Sequence, residues 1–479
     1  MTLPHDIVIH CATIVTVDAE RRVLGSGWIA VDGNQIAAIG QGEPPAAKRV
    51  IDRPGLIALP GLIDTHSHSG HGLVRAAGDG DGALWFRICE EIYAGVSTPE
   101  FWHAEARLAQ MERLLGGVTT AVSLLGGGAD VMRTDTGDAG DAHCAATVES
   151  GLRTFMAVGP GRLPFPKLFG PDKRPVSFDQ QMEVSADLIA RHDDVLGRRT
   201  GVALILPVYS SDHMADHEAE IRHMSTEMRD LQDRTGVLLT QDGHRSGTIA
   251  LARDLGLLSP RAALGHSIDL TPDDFDALRE TGATIIHNPS AIMSINGRCP
   301  VPELLEAGIT VSLGSDAGAP DRGFDMFRHM AQAMHYHRRH FQDASVLPEG
   351  KTLELCTIDA ARALGLQDHI GSLEVGKRAD IILLDGQKPH LWPPVMPLNR
   401  ITHFANAADV DTVLVDGRVL MERREVPHLD LEDILIEAEK AADRVFSDAK
   451  RLDTRTESSQ SWRQAKRSTG SYRAAGSDT

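Results

Sequence analysis

A chain of 479 residues with 42% hydrophobic and 24% charged side chains has the composition of a globular protein, with length for two or three structural units. Its net charge of −19 argues against a nucleic-acid-binding surface, which needs clustered Lys and Arg. There is no run of eighteen apolar residues to span a bilayer and no basic-then-apolar secretion pattern, and Cys11, Cys89, Cys144, Cys299 and Cys356 form no Cys-x-x-Cys pair, so reduced thiols in the cytoplasm are expected.

Residues 6–58 read as short strands at 7–9, 14–17, 28–31 and 35–39, with Asp32-Gly33-Asn34 as a turn. They predict a small antiparallel sheet that needs a second apolar layer to cover it. Next comes Pro60-Gly61-Leu62-Ile63-Asp64-Thr65-His66-Ser67-His68, an apolar run ending in two histidines one residue apart. On a strand, residues i and i+2 share a side, so His66 and His68 present both imidazoles to one cavity, a geometry that suits a divalent metal. A bare His-x-His more often binds nothing.

Beyond His68, strand-like runs alternate with amphipathic stretches. The pattern predicts helices over 101–115, 141–150, 215–235, 273–281, 301–307 and 323–338, and strands over 118–122, 153–158, 201–208, 237–240, 262–264, 284–286 and 310–313. Such alternation over about 300 residues predicts a closed (β/α)8 barrel with its chemistry at the C-terminal strand ends. His66, His68, His266, His287 and Asp316 fall there. The Pro-rich stretch 162–171 reads either as a lid over the barrel mouth or as a proline-ordered surface loop.

After the barrel, 352–364 reads as helix, 371–385 as strand and 413–420 as a hairpin. The expected organisation is therefore 1–59 and 366–430 as two parts of one β-sandwich, 60–365 as the barrel, 431–453 as a terminal helix and 454–479 as a disordered tail. The fold class expected is α/β, a distorted (β/α)8 TIM barrel with a small β-sandwich built from both termini.

Leu264-Gly265-His266 and Gly314-Ser315-Asp316 add an imidazole and a carboxylate at two further strand ends. Nitrogen and oxygen ligands of this kind suit Zn2+ or Fe2+. With Gly117-Val118-Thr119-Thr120, His287-Asn288-Pro289 and Gly371-Ser372-Leu373-Glu374-Val375-Gly376-Lys377-Arg378-Ala379-Asp380, these motifs make the chain resemble the amidohydrolase superfamily over roughly residues 6 to 445. The branch is the one that holds cytosine deaminase, S-adenosylhomocysteine deaminase and the triazine hydrolases. The resemblance implies one catalytic divalent ion, Zn2+ or alternatively Fe2+, with His66, His68 and Asp316 as ligands. It also implies Asp316 as the proton carrier and His266 as the group that polarises the substrate. Binuclear members bridge two ions with a carboxylated lysine on the fourth strand. Here the only lysines between Pro60 and Gly350 are Lys167 and Lys173, so one ion is expected.

The fifth strand departs from the branch, which carries a ligand His there and, in deaminases, a Glu three residues later. This chain reads Val237-Leu238-Leu239-Thr240-Gln241-Asp242-Gly243-His244. Ending the strand at Gln241 makes Gln241 the metal ligand and His244 the acid–base group in place of Glu; a one-residue shift puts Asp242 at the ligand position. His244 reads equally as a solvated loop histidine, and His71 as a structural one. On the seventh strand His287, Ser290 and Ile292 are the expected substrate-binding residues. Ile292 stands where many relatives have Asn, which implies a pocket less polar than a nucleobase site.

The function expected is hydrolysis of a C–N bond, by deamination or amide/urea-type cleavage, in a small cyclic nitrogenous compound. The alternative is a metal-poor, non-catalytic scaffold of the same fold. A small-molecule substrate and a homo-oligomer are expected, with no nucleic acid or membrane partner.

Overall fold

His5–Val15 (β1) runs as one strand because its apolar residues bury on both faces, and it pairs antiparallel with Val23–Asp32 (β2). The chain turns at Gly33, whose φ of 57° suits glycine, into Gln35–Gln41 (β3). Ala47–Asp52 (β4) and Leu56–Pro60 (β5) then lie parallel to β1, so the sheet predicted to be antiparallel is mixed. The computed structural model describes residues 4–53, 55–78, 82–127, 131–291, 293–316, 318 and 322–455.

Leu62–His68 (β6), Val118–Leu124 (β7) and Arg153–Val158 (β8) begin the barrel. A small hairpin, Lys167–Phe169 (β9) with Arg174–Val176 (β10), stands apart from it. Thr200–Ile205 (β11), Leu238–Asp242 (β12), Ala262–Gly265 (β13), Thr284–His287 (β14) and Val311–Leu313 (β15) complete it. Every neighbouring pair from β6 through β8 and β11 to β15 is parallel. All residues of these eight strands are buried except Asp242, which is partly open. That burial explains their apolar runs, as in any parallel sheet covered by helices.

Helices that the sequence pattern misses include Phe178–His192, Thr248–Asp254 and Gly82–Glu90. The first is announced by a capping box in which Ser177 and Gln180 satisfy each other's backbone N–H groups. The Pro-rich stretch leads into the β9–β10 hairpin, which Gly170 ties to the barrel side through a 2.8 Å bond from its N–H to the Ala94 carbonyl.

Ile381–Asp385 (β16) pairs antiparallel with β5 and with Val410–Val415 (β17), which turns back into Arg418–Met421 (β18). Both chain ends therefore share one eight-stranded sheet. Strand begins at Ile381 rather than at 371, because Gly371 and Gly376 hold φ near 90°, which bends the chain into turns. Leu431–Asp448 is helical and packs on the helix Pro99–Leu115. Residues 456–479, most of the expected disordered tail, lie outside the described residues.

One buried ion network joins barrel to sheet. Arg153, fully enclosed at the start of β8, places Nη2 2.8 Å from Asp416 Oδ1 and Nη1 against Asp380 Oδ2, while Asp380 Oδ1 accepts from the Asp416 N–H at 2.9 Å. Removing one member of such a network strands the others without water. Arg153→Met is expected to lower unfolding stability by about 3–5 kcal/mol in urea titration; a loss below about 1 kcal/mol would contradict a structural role for the network.

On the other side of the barrel, His337 of the helix Met326–Phe341 packs on His287 of β14, ring centroids 5.2 Å apart. Both rings are fully buried, and among the described residues none of their four nitrogens has a hydrogen-bond partner. Burial pushes the His337 pKa down to about 4 from 6.5. The folded chain thus stays neutral at His337 while the unfolded chain protonates, so this share of stability is complete above pH 6.5 and is lost as pH falls toward 4. His337→Phe is expected to flatten the decline of the urea midpoint across that window. An unchanged slope would show that His337 does not titrate there.

Candidate metal centre

β6 and β15 meet across the last gap of the barrel through side chains. Thr65 Oγ1 donates to the Leu313 carbonyl at 2.9 Å, and buried Asp64 accepts from the Ser315 N–H at 2.8 Å and from Ser315 Oγ at 2.7 Å. Asp316 then donates its own N–H to the His66 carbonyl at 2.8 Å. Gly314 permits this approach, since a Cβ there would lie 2.8 Å from His66 Cβ and 2.4 Å from Asn288 Oδ1.

Five side chains converge above this seam. Asp316 Oδ1 lies 3.7 Å from His66 Nε2, 3.4 Å from His68 Nε2 and 3.3 Å from His266 Nε2. Asp242 Oδ1 lies 3.6 Å from His66 Nε2 and 3.2 Å from His266 Nε2, and its Oδ2 3.6 Å from His68 Nε2. Donor atoms of His66, His68 and Asp316, and again of His66, Asp242 and His266, fall within 4.8 Å of one another. Both ring nitrogens of His66 and Oδ1 of Asp242 are buried with no hydrogen-bond partner among the described residues. Enclosed donors that face each other without bonding fit a cation held between them. The Gly126 carbonyl, 3.0 Å from His68 Nδ1, holds that nitrogen as the donor and leaves the Nε2 lone pair aimed at the cluster.

The charges support one another. Burial disfavours the charged form of every group here, yet the imidazoles, His266 foremost, hold the Asp316 carboxyl well below the usual carboxylate range. Asp242 is lowered by His66, His266 and His68 against the same burial. The two carboxylates in turn outweigh burial at His68 and His266 and raise both pKa values. Backbone conformation is unusual at the same places: φ is 65° at His266 and 70° at Asp316. Left-handed backbone at such residues costs on the order of 1–3 kcal/mol and concentrates at functional sites.

His66, His68, His266 and Asp316 therefore meet as the sequence motifs expect. Gln241 does not join them. β12 runs one residue past it and pairs Asp242 with Gly265, so strand alternation turns Asp242 toward the cluster. The Gln241 carboxamide Nε2 instead faces the Leu206 and Pro207 carbonyls at 3.3 and 3.4 Å. His244 is wholly buried rather than solvated, with Nδ1 3.1 Å from Thr248 Oγ1, and burial pushes its pKa down to about 4. Thr248 Oγ1 already donates to the Arg245 carbonyl, so His244 Nδ1 carries the hydrogen and Nε2 keeps a lone pair with no partner among the described residues.

The seventh-strand expectations shift as well. His287 packs on His337 and Tyr336 of the outer helix, and the next residue, Asn288, reaches the cluster with Nδ2 3.4 Å from His266 Nε2. Ser290 Oγ bonds His329 Nδ1 at 2.7 Å, and Ile292 lies outside the described residues. His71 stacks on His68 at 4.9 Å, its Nδ1 2.7 Å from the Tyr93 hydroxyl. Arg322, which no motif marks, places Nη1 2.9 Å from Asp316 Oδ2.

The model of the Amidohydrolase family matches residues 57–420. A 5-methylthioadenosine/S-adenosylhomocysteine deaminase of Moorella thermoacetica is 30% identical over 460 residues, 91% of this chain and 98% of the relative. A 5'-deoxyadenosine deaminase of Methanosarcina mazei is 28% identical over 92% of this chain and 99% of its own length. Among solved structures, a zinc-bound adenosine deaminase of Xanthomonas campestris superposes with a TM-score of 0.81 at 25% identity, covering 93% of this chain and all of that one. The zinc complex of atrazine chlorohydrolase from Arthrobacter aurescens, at 22% identity and a TM-score of 0.77 over 91% of this chain, shares the fold. The chain belongs to the amidohydrolase family and is a metal-dependent hydrolase of carbon–nitrogen bonds.

Proposed function

We propose that His66, His68, Asp242 and Asp316 hold a single divalent ion, Zn2+ or Fe2+, and that the chain deaminates an adenosine-like nucleoside by hydrolysis. The observation that carries the metal reading is the set of unpartnered donors facing one another at the strand ends. The deaminase reading rests on relatives of that activity matched over nearly their whole length. When bound, a divalent ion supplies the Lewis acidity that makes water a nucleophile near neutral pH.

In this reading Asp316, ionised at neutral pH, accepts the proton of the attacking water and passes it to the leaving amine. His266, whose pKa the two carboxylates raise against burial, donates toward the substrate. Counted from Asp242, the Glu position of deaminases, three residues on, falls on Arg245, one residue past the buried His244. Neutral and with a free Nε2 lone pair, His244 is suited to accept a proton and poorly suited to deliver one. That assigns the delivering role to Asp316 alone.

All five cysteines are buried and unpaired, which supports a reducing, cytoplasmic setting, and no helix among the described residues is long and apolar enough to cross a membrane. Trp392, Val395, Met396 and Phe404, 56–64% exposed on one segment, support burial against a second copy in a homo-oligomer.

Metal retention after gentle chelator treatment separates the fifth-strand residues. Asp242→Ala is expected to lose the ion, as is His68→Ala, whereas Gln241→Ala retains it; the reverse order would return the ligand position to Gln241. Ammonia release from adenosine, 5'-deoxyadenosine, 5-methylthioadenosine and S-adenosylhomocysteine tests the reaction. At least one is expected to turn over, and Asp316→Asn to lower kcat by about 10²–10⁴-fold. Metal-loaded protein that releases ammonia from none of the four would refute nucleoside deamination.

A further inference from the structure

The two carboxylates of the cluster are held differently. Asp242 shows both of its oxygens to the imidazoles, Oδ1 to His66 and His266 and Oδ2 to His68. Asp316 shows only Oδ1, which faces all three rings, while its Oδ2 lies 2.9 Å from Arg322 Nη1. The Arg322 side chain is 4% exposed. Its Nε donates to the Ser290 carbonyl at 3.2 Å, and Ser290 is anchored by His329, whose Nε2 lies 2.8 Å from the Gly323 carbonyl. The guanidinium is therefore set in place from the seventh-strand loop and the following helix together, and the left-handed backbone at Asp316 turns the carboxylate to meet it.

Charge gives this arrangement a reason. Asp242 stands on a strand end where an imidazole would be neutral, so it adds one negative charge to the donor cluster. Arg322 adds one positive charge on the far oxygen of the other carboxylate. A guanidinium is permanently charged, and its planar array of donors competes well for a carboxylate oxygen.

We infer that Arg322 is a positioning residue that reserves Oδ2 of Asp316, so that Asp316 serves the centre as a one-oxygen donor, and that it offsets the charge Asp242 brings. The inference rests on the reading of the five side chains as a metal centre. It predicts that loss of the guanidinium frees a second carboxylate oxygen and raises the coordination number without emptying the site.

Visible absorption of the cobalt-loaded protein reads this directly, because Co2+ with few ligands absorbs much more strongly than Co2+ with more. The full chain is stripped with a chelator, reloaded with Co2+ and compared at equal cobalt content with Arg322→Met and Arg322→Lys. The methionine variant is expected to take up the same amount of cobalt and to lose half or more of the absorption, while the lysine variant, which keeps a cation beside Oδ2, retains most of it. Should Arg322→Met fail to fold, Arg322→Gln is read in the same way. A methionine variant whose spectrum superimposes on the wild type, or one that takes up no cobalt, would overturn the role given to Arg322 and leave the metal centre standing. Wild-type protein that takes up no cobalt would instead overturn the metal centre, and the inference with it.

Discussion

The seam between the first and eighth barrel strands sets the position of everything chemical in this molecule. Asp64 reaches across it to both hydrogens that Ser315 offers, Thr65 grips the Leu313 carbonyl, and the Asp316 N–H closes on the His66 carbonyl. Side chains alternate along a strand, so a slip of one residue at this seam would send His66 and His68 to the wrong side and break the cluster. A buried carboxylate with two donors on it resists such a slip, because any other register would leave it unpaired away from water. Gly314 completes the device by letting the eighth strand end against the His66 backbone.

Once the seam is fixed, the fifth strand decides what kind of centre forms. One more residue of pairing with β13 brings Asp242 to the cluster and takes Gln241 away from it. A carboxylate in that place makes the donor set harder and more negative than three imidazoles with one carboxylate would be. Two neighbours answer that change: the carboxylates raise the His266 pKa against burial, and Arg322 closes over the far oxygen of Asp316. The strained backbone at His266 and Asp316 is consistent with a centre whose geometry is imposed by the surrounding fold.

The alternation of apolar runs made the barrel legible, since parallel strands buried on both faces read as unbroken hydrophobic stretches. His66, His68, His266 and Asp316 were legible because each ends such a run. The fifth-strand side chain that meets the cluster was harder: Thr240-Gln241-Asp242 is polar enough that nothing in the pattern says where pairing stops, and the backbone partner Gly265, which does say so, lies far along the chain. The place of His287 was hard to read for a related reason. It ends its strand facing the outer helix, and only Asn288, just past the strand, turns inward to His266. Arg322 carries no local signal, as its role depends on a loop folding back on Asp316. The mixed sheet of the termini shows the same limit, because the strand pattern at 7–9 and 14–17 says nothing of direction, and β4 and β5, which that pattern does not mark, lie parallel to β1.

A structure of the protein loaded with Zn2+, with anomalous scattering recorded at the zinc edge, puts the central claim to its most direct test. One peak is expected about 2.0–2.2 Å from Nε2 of His66, Nε2 of His68 and carboxylate oxygens of Asp242 and Asp316. A peak bonded to the Gln241 carboxamide with Asp242 turned away, or no peak among these residues in zinc-loaded crystals, would contradict it.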